Sequence, residues 1–236
     1  MPHSLQDKVV IVTGARGNLG LAVVTAAANR GARVAMIDRA ATPAAVTLAP
    51  GFPAPVFRGG VDLTAYDAAQ AAVDSIAAEL GGIDAVVNVA GAFRSENVAD
   101  GDLAAWDLMY RINVRTAANT AKAALPHLFA RGSGRIVNIG AMAAAKATAG
   151  MGPYAASKAG VARLTESLAD ELKDRGITVN AVLPSTIDTP QNRADMPKAD
   201  FTRWVLPQAI AEVILFLLSA KAGAVTGALI PVTGRT

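Results

Sequence analysis

The chain has 236 residues, 52% hydrophobic and 17% charged, a balance that buries a substantial core and excludes intrinsic disorder. It holds no cysteine, so disulfides and thiolate metal sites are excluded. Its only histidines, His3 and His127, lie far apart in sequence, and no metal is expected. The formal charge is +3 and the pI about 9.4, but Lys and Arg are scattered and not gathered into a stripe, which argues against nucleic acid as a partner.

The opening residues, Met1 to Lys8, lack the apolar core of a signal peptide. Val9 to Thr13 then reads as a buried strand and Leu19 to Arg30 as a helix. A second strand is expected over Arg33 to Asp38 and a third within Val56 to Asp62, with the Pro-rich stretch Pro43 to Pro55 a loop between them. Tyr66 to Leu80 predicts a helix stopped by Gly81 and Gly82, followed by a strand over Ile83 to Val89. A long helical region fills Leu103 to Arg131. Next come a strand at Arg135 to Ile139, a helix over Tyr154 to Arg175 closed by Gly176, and a strand from Ile177 to Leu183. Pro207 to Ser219 is expected as a helix and Ala228 to Val232 as the last strand. The most apolar late stretch, Ala209 to Leu218, is broken by Glu212 and is too short to span a bilayer, so no membrane partner and a cytoplasmic location are expected. Continuous apolar strands alternating with helices predict an α/β fold. The expectation is a single doubly wound parallel sheet of Rossmann type, with residues 1–236 forming one dinucleotide-binding domain.

The segment Thr13-Gly14-Ala15-Arg16-Gly17-Asn18-Leu19-Gly20 occupies the first strand-to-helix turn, where glycines let backbone approach a pyrophosphate and the helix start offers free N–H groups. The spacing is not the G-x-G-x-x-G fingerprint, and tight turns use glycine for their own reasons. Asp38 ends the second strand. A carboxylate there accepts hydrogen bonds from ribose hydroxyls and repels a 2′-phosphate, while the neighbouring Arg39 could hold that phosphate. NAD is favoured over NADP; the competing reading of Asp38 is a loop or cap acid.

Gly14, Asn18 and Gly20, together with Tyr154-Ala155-Ala156-Ser157-Lys158, resemble the motifs of the short-chain dehydrogenase/reductase family, and the similarity runs from about Asp7 to Val232. Asn18 stands where that family usually has glycine, and asparagine tolerates a left-handed backbone. The resemblance implies an adenine contact at Asp62-Leu63 and a cofactor loop at Asn88-Val89-Ala90-Gly91. It implies nicotinamide contacts near Pro184, Ile187 and Thr189, with Asn113, Tyr154 and Lys158 as the catalytic set. Residues i and i+4 share a helical face, so Lys158 is expected to sit beside the Tyr154 phenol and lower its pKa from near 10. By the resemblance Lys158 also holds the nicotinamide ribose and Asn113 supports a relay water; the rival reading of Asn113 is a packing residue with a satisfied amide.

The family's serine ahead of the tyrosine is replaced by Ala141, preceded by Gly140. A lost donor of that kind can cost about 10²–10³ in rate. The segments Gly140-Ala141-Met142-Ala143-Ala144 and Leu183 to Arg193 are similar to those of dihydropteridine reductases, which lack the serine and reduce an already activated ring. The expectation is therefore a reductase of a small carbonyl or imine, with a quinonoid dihydropteridine as one candidate. The alternatives are an ordinary alcohol/ketone or 3-oxoacyl dehydrogenase/reductase with an atypical site, and a catalytically silent dinucleotide sensor. A small-molecule substrate is expected, and a homodimer or homotetramer through residues 103–131 and 154–175. Asn192 to Trp204 reads either as a lid or as a loop anchored by Trp204.

Overall fold

The computed structural model describes residues 5–48 and 50–236. The readings that involve Met1–Ser4, His3 among them, and Ala49 of the Pro-rich loop lie outside the described residues.

β1 (Val9–Thr13) is buried along its whole length, as an apolar run with no polar alternation requires of a strand covered on both faces. It sits inside a seven-stranded, wholly parallel sheet of order β3-β2-β1-β4-β5-β6-β7. The other strands are β2 (Arg33–Ile37), β3 (Val56–Arg58), β4 (Ala85–Asn88), β5 (Gly134–Ile139), β6 (Ile177–Pro184) and β7 (Leu229–Val232). The strand order reverses direction between β1 and β4, the place where such sheets open a ligand crevice beyond their carboxyl ends.

Each face of the sheet has its own core. Val10, Val12, Val34 and Val137 pack under α1 (Asn18–Ala28) and α7 (Pro207–Leu218). Val9, Ile11, Val86, Ile136 and Val179 pack under α2 (Tyr66–Leu80), α4 (Thr116–Arg131) and α5 (Gly152–Leu172). Alternate residues of one strand feed opposite cores, which is why so many strand positions are apolar without a period of two.

Four local differences from the sequence reading matter for the site. β2 stops at Ile37, so Asp38 lies just beyond the strand and not within it. The expected helix over residues 103–131 is two helices, α3 (Ala104–Tyr110) and α4, joined by a π turn at Arg111–Arg115. The helix carrying Tyr154 begins earlier, at Gly152, because Pro153 suits the first turn, where its missing N–H costs nothing. A short α6 (Pro190–Asp195), capped by the Thr189 hydroxyl accepting from the Asn192 N–H at 3.2 Å, had no periodic signal to announce it. Among the described residues no helix is long and apolar enough to cross a membrane, and no group of His, Asp or Glu is placed to hold a metal ion.

Candidate active site

The β1–α1 turn is shaped by close backbone packing. Gly14 adopts φ +60°, and a Cβ on it would lie 2.8 Å from the Ala90 backbone; a Cβ on Gly20 would overlap the Gly14 carbonyl. The Thr13 hydroxyl accepts from the Ala90 N–H at 3.1 Å, so the turn and the loop after β4 are one unit. Gly17, extended at φ −70°, precedes α1 and supplies no side-chain cap, leaving the first-turn N–H groups of Asn18, Leu19 and Gly20 free of one. Asn18 is the first helical residue, and the only non-glycine with positive φ among the described residues is Asp7. The left-handed tolerance invoked for Asn18 is therefore not used: the position is helical, and the chain needs no glycine there.

A cavity of about 300 Å³ opens beside this turn. Gly14, Gly17, Asp38, Arg39, Asp62, Leu63, Ala90 and Gly91 of the predicted set line it, together with Val61, Thr64, Ala92, Ile112 and Thr116. The Asp38 carboxylate accepts from the N–H of Arg16 at 2.9 Å and of Ala40 at 3.0 Å, so it both braces the turn and faces the cavity. The Thr64 N–H and hydroxyl hold the Asp62 carboxyl below its ordinary range, with help from Arg111 and Arg39. Glycines that a Cβ would jam, free helix-start N–H groups and a carboxylate at the second strand's end fit a dinucleotide.

Some predicted contacts lie elsewhere. Asn88 is buried in the core, its amide donating to Asn138 Oδ1 at 2.9 Å, and does not line the cavity. The Arg16 side chain is exposed, and Leu19 and Gly20 are buried behind the turn. Asn18 lines a different cleft, about 670 Å³, between α1 and α7, which contains no other predicted residue. Pro184 closes β6 and Ile187 pairs with Val205 as an isolated parallel bridge, placing the Ile187–Thr189 segment over the carboxyl ends of the strands.

Tyr154 and Lys158 share a face of α5, as their spacing requires. Lys158 is buried, donates to the Ile139 carbonyl at 2.7 Å, and lies 5.9 Å from the centroid of the Tyr154 ring. A Cβ on Gly91 would stand 3.5 Å from Lys158 Nζ and 2.7 Å from Asn113 Oδ1, so the cofactor loop passes directly over both. Burial pushes the Tyr154 phenol up to about 12 and the Lys158 ammonium down to about 8. The expectation that Lys158 lowers the phenol's pKa is overturned. Tyr154 is half-buried and Lys158 buried, and loss of hydration disfavours phenolate and ammonium alike.

Asn113 sits in the π turn with its amide fully engaged. Its Oδ1 accepts from the Ala92 N–H at 2.9 Å, and its Nδ2 donates to the Ala92 carbonyl at 3.0 Å and to Ser157 Oγ at 2.9 Å. Ser157 donates in turn to the Tyr154 carbonyl at 2.7 Å. The side chain of Asn113 thus ties the loop after β4 to α5, the packing reading of this residue. Ser157 was missed, although it lies inside the Tyr154–Lys158 interval; Thr13, Val61 and Ile112 were missed beside recognised neighbours.

Ala141, in the serine position, is buried and extended at φ −161°. Phe93, on the loop after β4, is 59% exposed and meets the Tyr154 ring in a T-shaped contact, centroids 5.0 Å apart. Trp204 is buried and meets the Phe201 ring at a 53° tilt, centroids 4.8 Å apart, while Asp188 holds Arg193 through two bonds of 2.6 and 2.7 Å. Residues 189–204 are pinned at both ends where Asp188 donates its N–H to the Val205 carbonyl and Val205 donates to Thr186. Trp204 is an anchor.

A family model described as short chain dehydrogenase matches residues 8–200. The chain is 35% identical to 2-(S)-hydroxypropyl-CoM dehydrogenase 3 of Xanthobacter autotrophicus, over 99% of this chain and 98% of that protein. It is 37% identical to cis-4-hydroxycyclohexanecarboxylate dehydrogenase of Sinomonas cyclohexanicum, over 99% and 98% respectively. The fold superimposes on a short-chain type dehydrogenase/reductase from Mycobacterium ulcerans with a TM-score of 0.90 and 27% identity, covering 98% of this chain and 90% of that one.

Proposed function

The chain belongs to the short-chain dehydrogenase family of NAD(P)-dependent oxidoreductases, and from that premise we propose that it interconverts secondary alcohols and ketones with NAD(H), using Tyr154 as the proton-transfer group. The observation that carries this reading is the half-buried Tyr154 beside the buried Lys158, with Gly91 closing over Lys158. The two relatives described above are both, by name, dehydrogenases of hydroxyl compounds, which supports an alcohol/ketone substrate over a pterin.

The nicotinamide supplies or accepts the hydride when bound. Tyr154, neutral at pH 7 because burial holds its phenol near 12, gives its proton to a carbonyl oxygen in reduction and recovers it in oxidation. Lys158, still mostly charged at pH 7 with a pKa of about 8, would stabilise the phenolate that this transfer leaves and, beside Gly91, would help to hold the cofactor's ribose. Asn113 and Ser157 hold that geometry from behind. Asp38, on the rim of the cavity, selects NAD by accepting ribose hydroxyls and opposing a 2′-phosphate; Arg39 on the same rim and the exposed Arg16 of the turn are the guanidiniums that would oppose that choice.

One observation favours a second reading. With Ala141 and Gly140 the substrate oxygen has no hydroxyl donor on the β5 side, which suits an acceptor as activated as a quinonoid dihydropteridine. Assays with secondary alcohols plus NAD and with quinonoid dihydropterin plus NADH separate the two. Turnover of alcohols that vanishes in Tyr154→Phe supports the first, turnover of the pterin alone supports the second, and neither, with tight dinucleotide binding, supports a sensor. We also propose a homodimer or homotetramer through the outer faces of α4 and α5, to be checked by sedimentation.

A further inference from the structure

Phe93 is the least explained side chain at the site. An aromatic ring 59% exposed contributes little to a core, yet this one is set at 80° against the ring of Tyr154. Its surroundings are braced. The Gly150 carbonyl accepts from the Glu96 N–H at 2.7 Å and from the Ser95 hydroxyl at 3.2 Å, which staples the loop after β4 to the loop before α5. Gly150 holds φ +75°, and a Cβ there would stand 2.7 Å from Ser95 Oγ, so the staple needs a glycine. Arg94 closes onto Glu96 at 2.8 Å. The loop that carries the ring is thus tied to Asn113 on one side of Phe93 and to Gly150 on the other.

The β5 side is also apolar, because Ala141 is buried without a hydroxyl and Met142 is 37% exposed. A substrate whose oxygen reaches Tyr154 would bring its carbon skeleton beside Phe93, the ring that contacts Tyr154. Hydrated aromatic surface of this kind gains when an apolar partner displaces the water, and it gains nothing from a small, well-hydrated substrate.

We propose that Phe93 is the wall of the substrate subsite and selects alcohols and ketones whose reacting carbon is part of, or bears, an apolar ring, cycloalkyl or aryl. The inference rests on the alcohol/ketone reading above and adds the class of substrate to it. The ring lies flat or edge-on against Phe93, and since Phe93 touches Tyr154, that packing also aims the substrate oxygen at the phenol. Phe93 is thus a specificity residue, and a positioning residue only for substrates large enough to touch it.

The test compares wild type, Phe93→Ala and Phe93→Leu with cyclohexanol, 1-phenylethanol and 2-propanol, all with NAD. The ratio of kcat/KM for the ring alcohols over that for 2-propanol is expected to fall about 10–100-fold in Phe93→Ala, mainly through KM, and to be largely kept in Phe93→Leu. Loss in equal proportion for all three alcohols would mean that Phe93 serves only to position Tyr154, and would overturn the inference, as would an unchanged ratio. A second measurement needs no turnover: binding of cyclohexanecarboxamide and isobutyramide, which mimic the two substrate sizes and are not reduced, to the protein with NADH. Tighter binding of the ring amide, lost in Phe93→Ala, supports the wall even if no alcohol is oxidised, in which case the alcohol reading alone fails. Equal binding of the two amides to wild type would remove the wall even if alcohols are turned over.

Discussion

The two ends of the site use different materials. Around Asp38 and Asp62 the protein offers backbone N–H groups, glycines packed against neighbouring chain, and carboxylates at an open surface held by local hydrogen bonds. Around Tyr154 and Lys158 it offers a half-buried phenol and a buried ammonium, backed by buried Asn113 and Ser157 that join a loop to the helices. On the proposed reading the first end binds through shape with its carboxylates near the surface, and the second acts through side chains partly or wholly withdrawn from water. A change at the first end is therefore expected to show as affinity, and a change at the second as rate and as pH dependence.

The largest effect tests the second end. Tyr154→Phe keeps the ring against Phe93 and removes only the hydroxyl, so turnover is expected to fall by about 10²–10⁴ while NAD affinity, read by fluorescence titration, stays put. Undiminished turnover would break the contrast and move proton transfer elsewhere.

The pH dependence of stability comes next. Lys158 has a folded pKa of about 8, below its ordinary 10.5. Below pH 8 both folded and unfolded chains carry the proton, and the fold bears the cost of burying it. From pH 8 toward 10.5 the unfolded chain keeps a proton that the folded chain has released, so stability rises with pH. Tyr154 acts oppositely only above pH 10, since its folded value, about 12, exceeds its ordinary 10.0. Urea melts at pH 8, 9 and 10 are expected to show a gain of roughly 2 kcal/mol in wild type over Lys158→Met. A flat difference would mean the ammonium is better solvated than its burial indicates.

At the other end, Gly14→Ala forces a residue with a Cβ into φ +60° and against Ala90, at about 1–2 kcal/mol for the backbone alone. NAD binding is expected to weaken roughly tenfold, with kcat at saturating cofactor little changed. Asp38→Ala is the mildest. It removes the acceptor for ribose and the repulsion of a 2′-phosphate, and the ratio of NADH to NADPH affinity is expected to fall by about tenfold or to invert through Arg39. A fall in kcat with either variant would show that the two ends are coupled.

The same contrast governs what could be read from the residues alone. The strands were legible because Val9–Thr13 or Ile177–Leu183 can be apolar throughout only if covered on both faces, whereas Tyr154 and Lys158 were picked out by a resemblance to a known motif and their spacing gave only the shared helical face. Asp38 followed from its place at the end of the second strand, and Asp62 from the family resemblance; both line the cavity. The π turn was not legible: one extra residue hardly disturbs the apolar pattern on either side of it. Nor was the inward turn of Asn88, which depends on Asn138 of the next strand, or the seat of Phe93 on Tyr154, a contact between loops that no local spacing encodes. The direction of the Tyr154 shift was misjudged for a related reason. Spacing reveals which charge is near, whereas burial is a property of everything packed around it.

The π turn at Arg111–Arg115 has a geometric consequence of its own. An α-helix advances about 100° per residue, so a single surplus residue puts the windings before and after it out of phase by about that angle. α3 is thereby free to lie against α5, through Ala105 and Met109, while α4 turns Thr116, Ala117 and Thr120 toward the sheet and lies along α2. Deleting one residue from the turn would restore a uniform winding, and one of those two helices would then rotate its buried side toward solvent. The surplus residue lets one rod serve two neighbours that face it from different bearings, and Asn113 stands at the joint where the bearing changes.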